Sequence, residues 1–241
     1  MFKTSLSVLA LGLLVAGASA QVRFRLVKTV DLGGNGFNVT SSSSANYIGP
    51  HIYSITNDGG KVYVGGYNNS GATAGVGVLQ INDFLGSTTV GRVLGSQSLS
   101  NAPISGGYYG VAVKNGVLYA NVQRNANTLV GDEMRAIDMA TGTTLWDARV
   151  ANSLANIRVA QNVDIDPITG NVGHSGTLTT AFTGALGQLD LATGVRTSIG
   201  TYTTAAVPGF SSVTRGLAFD SNGDVYLRAN NQVARYNRAA G

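Results

Sequence analysis

The sequence predicts an all-β fold made of a repeated unit of four antiparallel strands. The composition supports this, because 33 of the 241 residues are Gly and only 12% are charged, about half the usual ~25%. An internal repeat with a period of about 53 residues is the second observation. The third is a set of Asx-Gly pairs at matched positions, as tight hairpin turns require. These features favour turn-rich sheets over coiled coils, helical bundles and disorder.

Each repeat begins with two apolar strands joined by a short turn. The centres of the second strands are separated by 56, 54 and 53 residues and lie at Tyr63, Tyr119, Gly173 and Tyr226. Most of the turns between the two strands contain an Asx-Gly pair, which supplies the positive φ of a two-residue hairpin loop. These turns are predicted at Asp58-Gly59, Asn115-Gly116 and Asn222-Gly223, with a longer turn at 166–170.

Each repeat continues with a third strand that ends in a glycine turn, at Gly86, Gly142, Gly194 and Gly241. In three repeats a fourth short strand follows, at 88–94, 143–150 and 195–199. Four strands in a unit of this length are typical of a β-propeller blade. The sequence therefore predicts a β-propeller over 47–241, with blades at approximately 47–100, 101–152, 153–205 and 206–241. A sandwich or a β-solenoid is the alternative, but neither requires matched four-strand units.

Closure of the propeller is open at this point, because the fourth repeat ends after its third strand. The N-terminal strand predicted from Val22 to Leu32 could supply the missing outer strand and close a four-bladed ring. Alternatively, the chain is a fragment of a longer propeller.

The first 20 residues are predicted to be a secretory signal peptide. Lys3 precedes the apolar run Leu6 to Val15, and Ala18-Ser19-Ala20 forms a small-residue cleavage signature. This run is shorter than the ~20 residues that a membrane-spanning helix needs. We expect an exported protein without a transmembrane segment, either secreted or at the cell surface or periplasm. Residues 21–46 are interpreted as an N-terminal strand and a Ser-rich linker.

Residues 136–146, AIDMATGTTLW, resemble the tryptophan-docking motif of quinoprotein-type (PQQ-like) propellers. This resemblance implies that the Asp-x-x-Thr-Gly turn closes the outer hairpin and that Trp146 packs between neighbouring blades. The segment from Gly216 to Leu227 is similar to blades of NHL and gluconolactonase-like (SMP-30) propellers. Such blade-level resemblance concerns the fold and says little about function.

Residues for catalysis are sparse. The absence of Cys excludes thiol catalysis and Cys-ligated metal centres, and Glu133 is the single Glu. His51 and His174 belong to different repeats and are interpreted as surface or hairpin residues. Asp164 and Asp166 lead into a turn, where Asp is expected as a side-chain cap. No catalytic residue is therefore assigned.

The alternating oxygens of Asp220, Asn222 and Asp224 suggest a calcium loop, but the later Gly and Glu of an EF-hand do not follow. A plain turn is the preferred interpretation, no metal ligand is assigned, and calcium is the one cofactor left open. The Lys and Arg residues are scattered, so nucleic-acid binding is not expected.

A binding ring is predicted where the innermost strands begin, because these positions converge on one rim of a propeller channel. The ring candidates are His51, Tyr108, Tyr109, Gln161 and Arg215. Aromatic rings stack on ligands and Arg pairs with carboxylates. The alternative is that these are ordinary solvated loop ends. The strand centres Tyr63, Tyr119 and Tyr226 are instead expected to pack between blades.

Two functional hypotheses follow. The first is an exported, non-enzymatic propeller that serves as a binding or surface-interaction module for an unknown protein, a carbohydrate or a small polar ligand. The second is a hydrolase or lactonase-like propeller with a divalent metal held by Asp and Asn at the channel mouth.

Overall fold

The computed structural model describes residues 29–32, 51–67, 78–82, 89–94, 98–99, 102–103, 107–123, 133–153, 163–175, 185–201, 216–229 and 231–239. The predicted signal peptide, most of the N-terminal strand and linker, and the ring candidates Gln161 and Arg215 lie outside the described residues.

Antiparallel strands make up nearly all the regular structure of the described residues. Blade one contains β1 (His51–Asp58), β2 (Lys61–Tyr67), β3 (Val78–Asn82) and β4 (Thr89–Leu94). The short pair β5 (Ser98–Leu99) and β6 (Ala102–Pro103) precedes blade two. Blade two contains β7 (Gly107–Lys114), β8 (Val117–Gln123), β9 (Glu133–Asp138) and β10 (Thr144–Asp147), followed by the one-turn helix α1 (Ala148–Ala151).

Blade three contains β11 (Val163–Ile165), β12 (Val172–Ser175), β13 (Ala185–Leu189) and β14 (Arg196–Thr201). Blade four contains β15 (Gly216–Phe219), β16 (Val225–Ala229) and β17 (Gln232–Tyr236). The sheets are arranged as a four-bladed β-propeller, which confirms the predicted fold. In each blade the strands pair in chain order, and one backbone pair, Tyr67 with Gly107, joins the sheets of blades one and two.

Hairpin chemistry explains where the strands turn. Asn115 and Gly116 both have positive φ, so the predicted Asx-Gly turn is confirmed there. In blade one the loop residues are instead Gly59 and Gly60, one position later than predicted. The shift arises because Asp58 is still paired with a residue of β2.

The Asp-x-x-Thr-Gly turns are capped by their own aspartates. The Asp138 carboxylate accepts hydrogen bonds from the backbone N–H of Ala140 and of Thr141 and from the Thr141 hydroxyl. Asp190 makes the same three contacts in blade three. These bonds satisfy the turn amides and hold the pKa of both carboxyls below the usual value.

Trp146 packs between blades two and three, as the resemblance implied. Its indole Nε1 donates a hydrogen bond to the Leu191 carbonyl at 2.8 Å. The ring lies on Gly194, where an added Cβ would be 2.6 Å from the indole, and it also contacts Tyr119 at a ring-centroid distance of 6.0 Å. The predicted fourth strand of this blade is shorter than expected, because residues 148–151 form α1.

The three tyrosines at strand centres differ in their surroundings. Tyr63 and Tyr119 are buried in core clusters, so their expected packing between blades is confirmed. The prediction for Tyr226 was wrong, because 37% of this residue is exposed. Its neighbours Leu227 and Val225 face blade three, so the alternation of β16 directs Tyr226 to the opposite, uncovered face.

Residues of the N-terminal segment pack on one face of blade one. Val30 and Leu32 pack against Val64, Leu79 and Ile81. Residues 29–32 do not form a strand. Among the described residues β17 pairs with β16 alone, and closure of the ring by an N-terminal strand therefore stays a prediction. No helix among the described residues has the length and apolar character needed to cross a membrane.

The packing of blade four on blade three predicts that Gly173→Ala strongly destabilises the fold. The added Cβ would lie 2.3 Å from the Phe219 ring, so the blades must separate or the ring must leave its rotamer. We expect a loss of about 1–3 kcal/mol in the free energy of unfolding, measured by urea denaturation. Gly91→Ala is the matched control, since it is also a strand glycine and nothing lies within 4 Å of its added Cβ. Equal stability of the two variants would contradict this packing.

Candidate functional site

A cleft of about 380 Å³ lies between the ends of blades one and two. We call it the blade one–two cleft. Blade one contributes Asp58, Gly59, Lys61, Tyr63 and Gln80, and blade two contributes Gly116, Met139 and Ala140. The volume lies within the range of small-molecule sites.

Strand pairing places the polar groups of the cleft side by side. Asp58 and Lys61 are direct cross-strand partners at the end of the β1–β2 hairpin, and Tyr63 is paired with Gln80 on the next strand. Such partners have Cβ atoms about 5 Å apart. The cleft therefore presents a carboxylate, an ammonium group, a phenol and an amide, with the apolar Met139 side chain opposite them.

Asp58 and Lys61 are available for a ligand. Among the described aspartates, Asp58 alone has a side chain without a hydrogen bond or an ion pair, and the side chain of Lys61 also forms neither. Burial, and secondarily the charge of Asp58, raises the pKa of Tyr63, so its hydroxyl stays protonated at neutral pH. The Gln80 amide nitrogen donates to the Asn82 side chain at 2.6 Å.

The cleft lies at the opposite end of β1 from the predicted ring. His51 begins this strand and Asp58 ends it, and eight residues of extended chain span roughly 23 Å. Tyr108 is fully buried in the core beside Gly65 rather than lining an open surface. The backbones of His51 and Tyr109 belong to β1 and β7, but their side chains lie outside the described part of the structure. The ring as a whole stays a prediction.

The junction between blades three and four is filled by a buried polar network. The carboxylate of Asp166, which has no exposed surface, accepts hydrogen bonds from the Gln188 amide, the Thr169 hydroxyl and the Arg238 guanidinium. A further bond from the Ile168 backbone N–H confirms the capping role predicted for Asp166. Burial opposes ionisation, but the hydrogen bonds and the Arg238 charge hold the pKa of Asp166 below its ordinary value.

The other aspartates considered for catalysis or calcium binding have structural partners. Asp164 accepts the backbone N–H of Phe219 and so connects blades three and four, and burial raises its pKa. Asp220 accepts the backbone N–H groups of Asn222 and Asp224, as expected of a turn. The Asp224 carboxylate pairs with Arg235. Within the described ranges, no group of three or more His, Asp or Glu side chains is placed to hold a metal ion.

His174 is fully buried, so its interpretation as a surface or hairpin residue was wrong. Its Nε2 accepts a hydrogen bond from Nε of Arg196 at 3.3 Å, which requires a neutral ring. Burial, reinforced by the charge of Arg196, lowers the pKa of His174 to about 3. The close approach of both side chains to Gly187 explains why that position has no Cβ.

Sequence reasoning did not find the blade one–two cleft. Its lining comes from the β1–β2 hairpin, from β3, and from two turns of blade two, at Gly116 and at Met139 and Ala140. The Asx-Gly pairs and the Asp-x-x-Thr-Gly motif in these segments predict turns, and they do not predict a ligand site. A comparison of the same position in successive repeats could have pointed to the cleft. Asp58, Lys114 and Asp166 occupy equivalent positions, but the side chain is an acid in the first and third repeats and a base in the second.

No protein-family model matches the chain, and no curated protein matches it. Among solved structures it is similar to the extracellular domain of BT4673 from B. thetaiotaomicron, with 17% identity, 79% of this chain and 21% of that chain covered, and a TM-score of 0.45. It is also similar to the computationally designed Ika4 protein, with 12% identity, coverage of 87% and 98%, and a TM-score of 0.45. The chain thus spans about a fifth of the BT4673 domain. At these scores the similarities carry no argument about function.

The burial of neutral His174 predicts acid sensitivity well above the pH at which aspartates titrate. Its pKa is about 3 in the folded state and ~6.5 when unfolded. The unfolded chain therefore takes up a proton below pH ~6.5 while the folded protein does not, and stability falls by about 1.4 kcal/mol per pH unit between pH ~6 and ~4.

Urea denaturation between pH 4 and 7 tests this prediction. In the variant His174→Leu the free energy of unfolding should no longer fall with this slope between pH ~6 and ~4. In the control His51→Gln the slope should be the same as in the wild type. A wild-type slope unchanged by His174→Leu would show that the buried imidazole is not its source.

Proposed function

We propose that the protein is an exported, non-enzymatic β-propeller module that binds a small polar ligand in the blade one–two cleft. The observation that carries this proposal is the pair of unpartnered charges, Asp58 and Lys61, in one cleft of suitable volume. A charged side chain that is already paired within the protein has few free hydrogen-bonding positions for a ligand. Asp58 and Lys61 are not paired, so both can form charge-assisted hydrogen bonds with a ligand.

The residues available in the cleft fit binding better than catalysis. Glycoside hydrolysis needs two carboxyl groups, and the cleft offers one, at Asp58. The alternative of a metal-dependent hydrolase would need Asp220 and Asp224 as ligands. Asp220 caps its own turn and Asp224 pairs with Arg235, so no observation on the described residues favours that alternative.

Export is the part of the proposal that depends on sequence alone. The charged start, the short apolar run and the small-residue cleavage signature within residues 1–20 support it. A ligand met outside the cytoplasm is consistent with an open cleft at the end of two blades.

Filling the cleft should abolish ligand binding. Ala140 is an exposed lining residue whose side chain takes no part in the cap by Asp138, so Ala140→Phe places a ring in the cleft without removing a turn hydrogen bond. Chemical-shift mapping with a panel of amino acids, polyols and sugars would identify ligands of the wild type. We expect the variant to lose all perturbations at the cleft.

The matched control is Ala192→Phe, because Ala192 occupies the same position of the equivalent turn in blade three and is also exposed. The control should bind like the wild type. Absence of any cleft perturbation by the panel, or equal binding by both variants, would refute the proposed site.

A further inference from the structure

The internal repeat places equivalent residues at each junction between blades. Asp58 pairs with Lys61 one step beyond the pair Asn57 and Val62. In blade three, the Asp166 backbone N–H donates to the Asn171 carbonyl one step beyond the pair Ile165 and Val172. Asp166 is therefore the register equivalent of Asp58.

The neighbouring positions correspond as well. Gln80 pairs with Tyr63 in blade one, and Gln188 pairs with Gly173 in blade three. On the facing blades, Met139 and Arg238 hold the same place in the sequence repeat, since each lies three residues before its matched glycine, Gly142 and Gly241 respectively. The set Asp58, Gln80 and Met139 thus corresponds to Asp166, Gln188 and Arg238.

The junction between blades three and four is occupied by a guanidinium group. Arg238 pairs with Asp166 and lies over the glycine turn of blade four, where an added Cβ on Gly223 would be 3.2 Å from Nη1 of Arg238. Gln188 supports the carboxylate from its own blade. At this junction, therefore, an aspartate, a glutamine and a glycine turn together surround a guanidinium group.

The junction between blades two and three also contains a cation from the chain. Lys114 occupies the position equivalent to Asp58, since it is the last residue of β7 and pairs with the first residue of β8. Its ammonium group donates a hydrogen bond to the Gly170 carbonyl at 3.3 Å. Of the three junctions between consecutive blades, the one between blades two and three and the one between blades three and four are therefore occupied by a cationic side chain.

The described lining of the blade one–two cleft contains no guanidinium group, and its one cation, Lys61, forms no ion pair with Asp58. Met139 stands where Arg238 stands in blade four, the Asp58 carboxylate has no partner, and nothing lies within 4 Å of an added Cβ on Gly116. We propose that the cleft binds the guanidinium group of a ligand, which takes the place that Arg238 fills at the other junction. This inference rests on the proposed binding function and names the chemistry of its ligand.

The charge of Lys61 indicates that the ligand carries a second group besides the guanidinium. The equivalent position in blade three is Asn171, which is uncharged, so the ammonium group is particular to the open cleft. An isolated guanidinium would be repelled by it, whereas a carboxylate on the same ligand would be attracted. Arginine and peptides that end in arginine carry both groups, and Met139 offers an apolar contact for their methylene chain.

Isothermal titration of the intact mature protein with three compounds tests the chemistry. L-arginine should bind. L-citrulline, which replaces the guanidinium by an uncharged urea, should bind about tenfold more weakly. Agmatine, which lacks the carboxylate, should bind about fivefold more weakly because the exposed contact with Lys61 is lost.

Two variants and a control assign the binding to the cleft. Asp58→Asn should reduce arginine affinity to that of citrulline. Met139→Arg should supply the missing guanidinium from the chain itself, abolish arginine binding and raise the melting temperature. Arg228→Met changes an exposed cation on blade four outside the cleft and should bind like the wild type.

The outcomes separate this inference from the proposed function. Equal affinity for arginine and citrulline, or binding of a sugar or polyol in the cleft without arginine binding, would overturn the guanidinium assignment and leave the binding module in place. Arginine binding that survives Met139→Arg would also overturn it. If no compound of the larger panel perturbs the cleft, both proposals fail.

Discussion

Contact between successive blades depends on large side chains of one blade lying directly on glycines of the neighbouring blade. At three such contacts an added Cβ on the glycine would be 2.6, 2.3 or 2.0 Å from the nearest atom of the facing aromatic side chain. The ring–glycine pairs are Trp146 on Gly194, Phe219 on Gly173 and Tyr236 on Gly200. The high glycine content thus has two physical causes, since some glycines supply positive φ in turns and others admit a neighbouring ring.

This close approach brings the turns of neighbouring blades together and determines what their polar groups can do. A carboxylate as deeply buried as that of Asp166 must be paired, because an unpaired charge in such a position would cost several kcal/mol. Arg238 provides the pair from the facing blade. The ring–glycine contacts set the distance between neighbouring sheets. Side chains such as Asp166 and Arg238 then fill the space between the ends of those sheets.

Local features of the fold could be predicted from the sequence, whereas features that depend on register between blades could not. The Asn115-Gly116 turn and the cap by Asp138 are encoded within a few residues, and both are present. The burial of His174 depends on Gly187 and Arg196 on neighbouring strands. Tyr226 has the same place in its repeat as Tyr63, yet it is exposed, because it lies on the face of β16 opposite the one that packs against blade three. Burial is therefore a property of the neighbouring blade as much as of the repeat.

A repeat protein can form a binding site by omitting one side chain from a position that its other repeats fill. The omission is tolerated at Asp58 because this residue is partly exposed, so water can solvate its charge, whereas Asp166 has no exposed surface. Met139 in place of an arginine removes the internal cation without removing the apolar contact of the junction. The repeat supplies the geometry of a charge-binding position, and the local difference in exposure makes one copy of it available to a ligand.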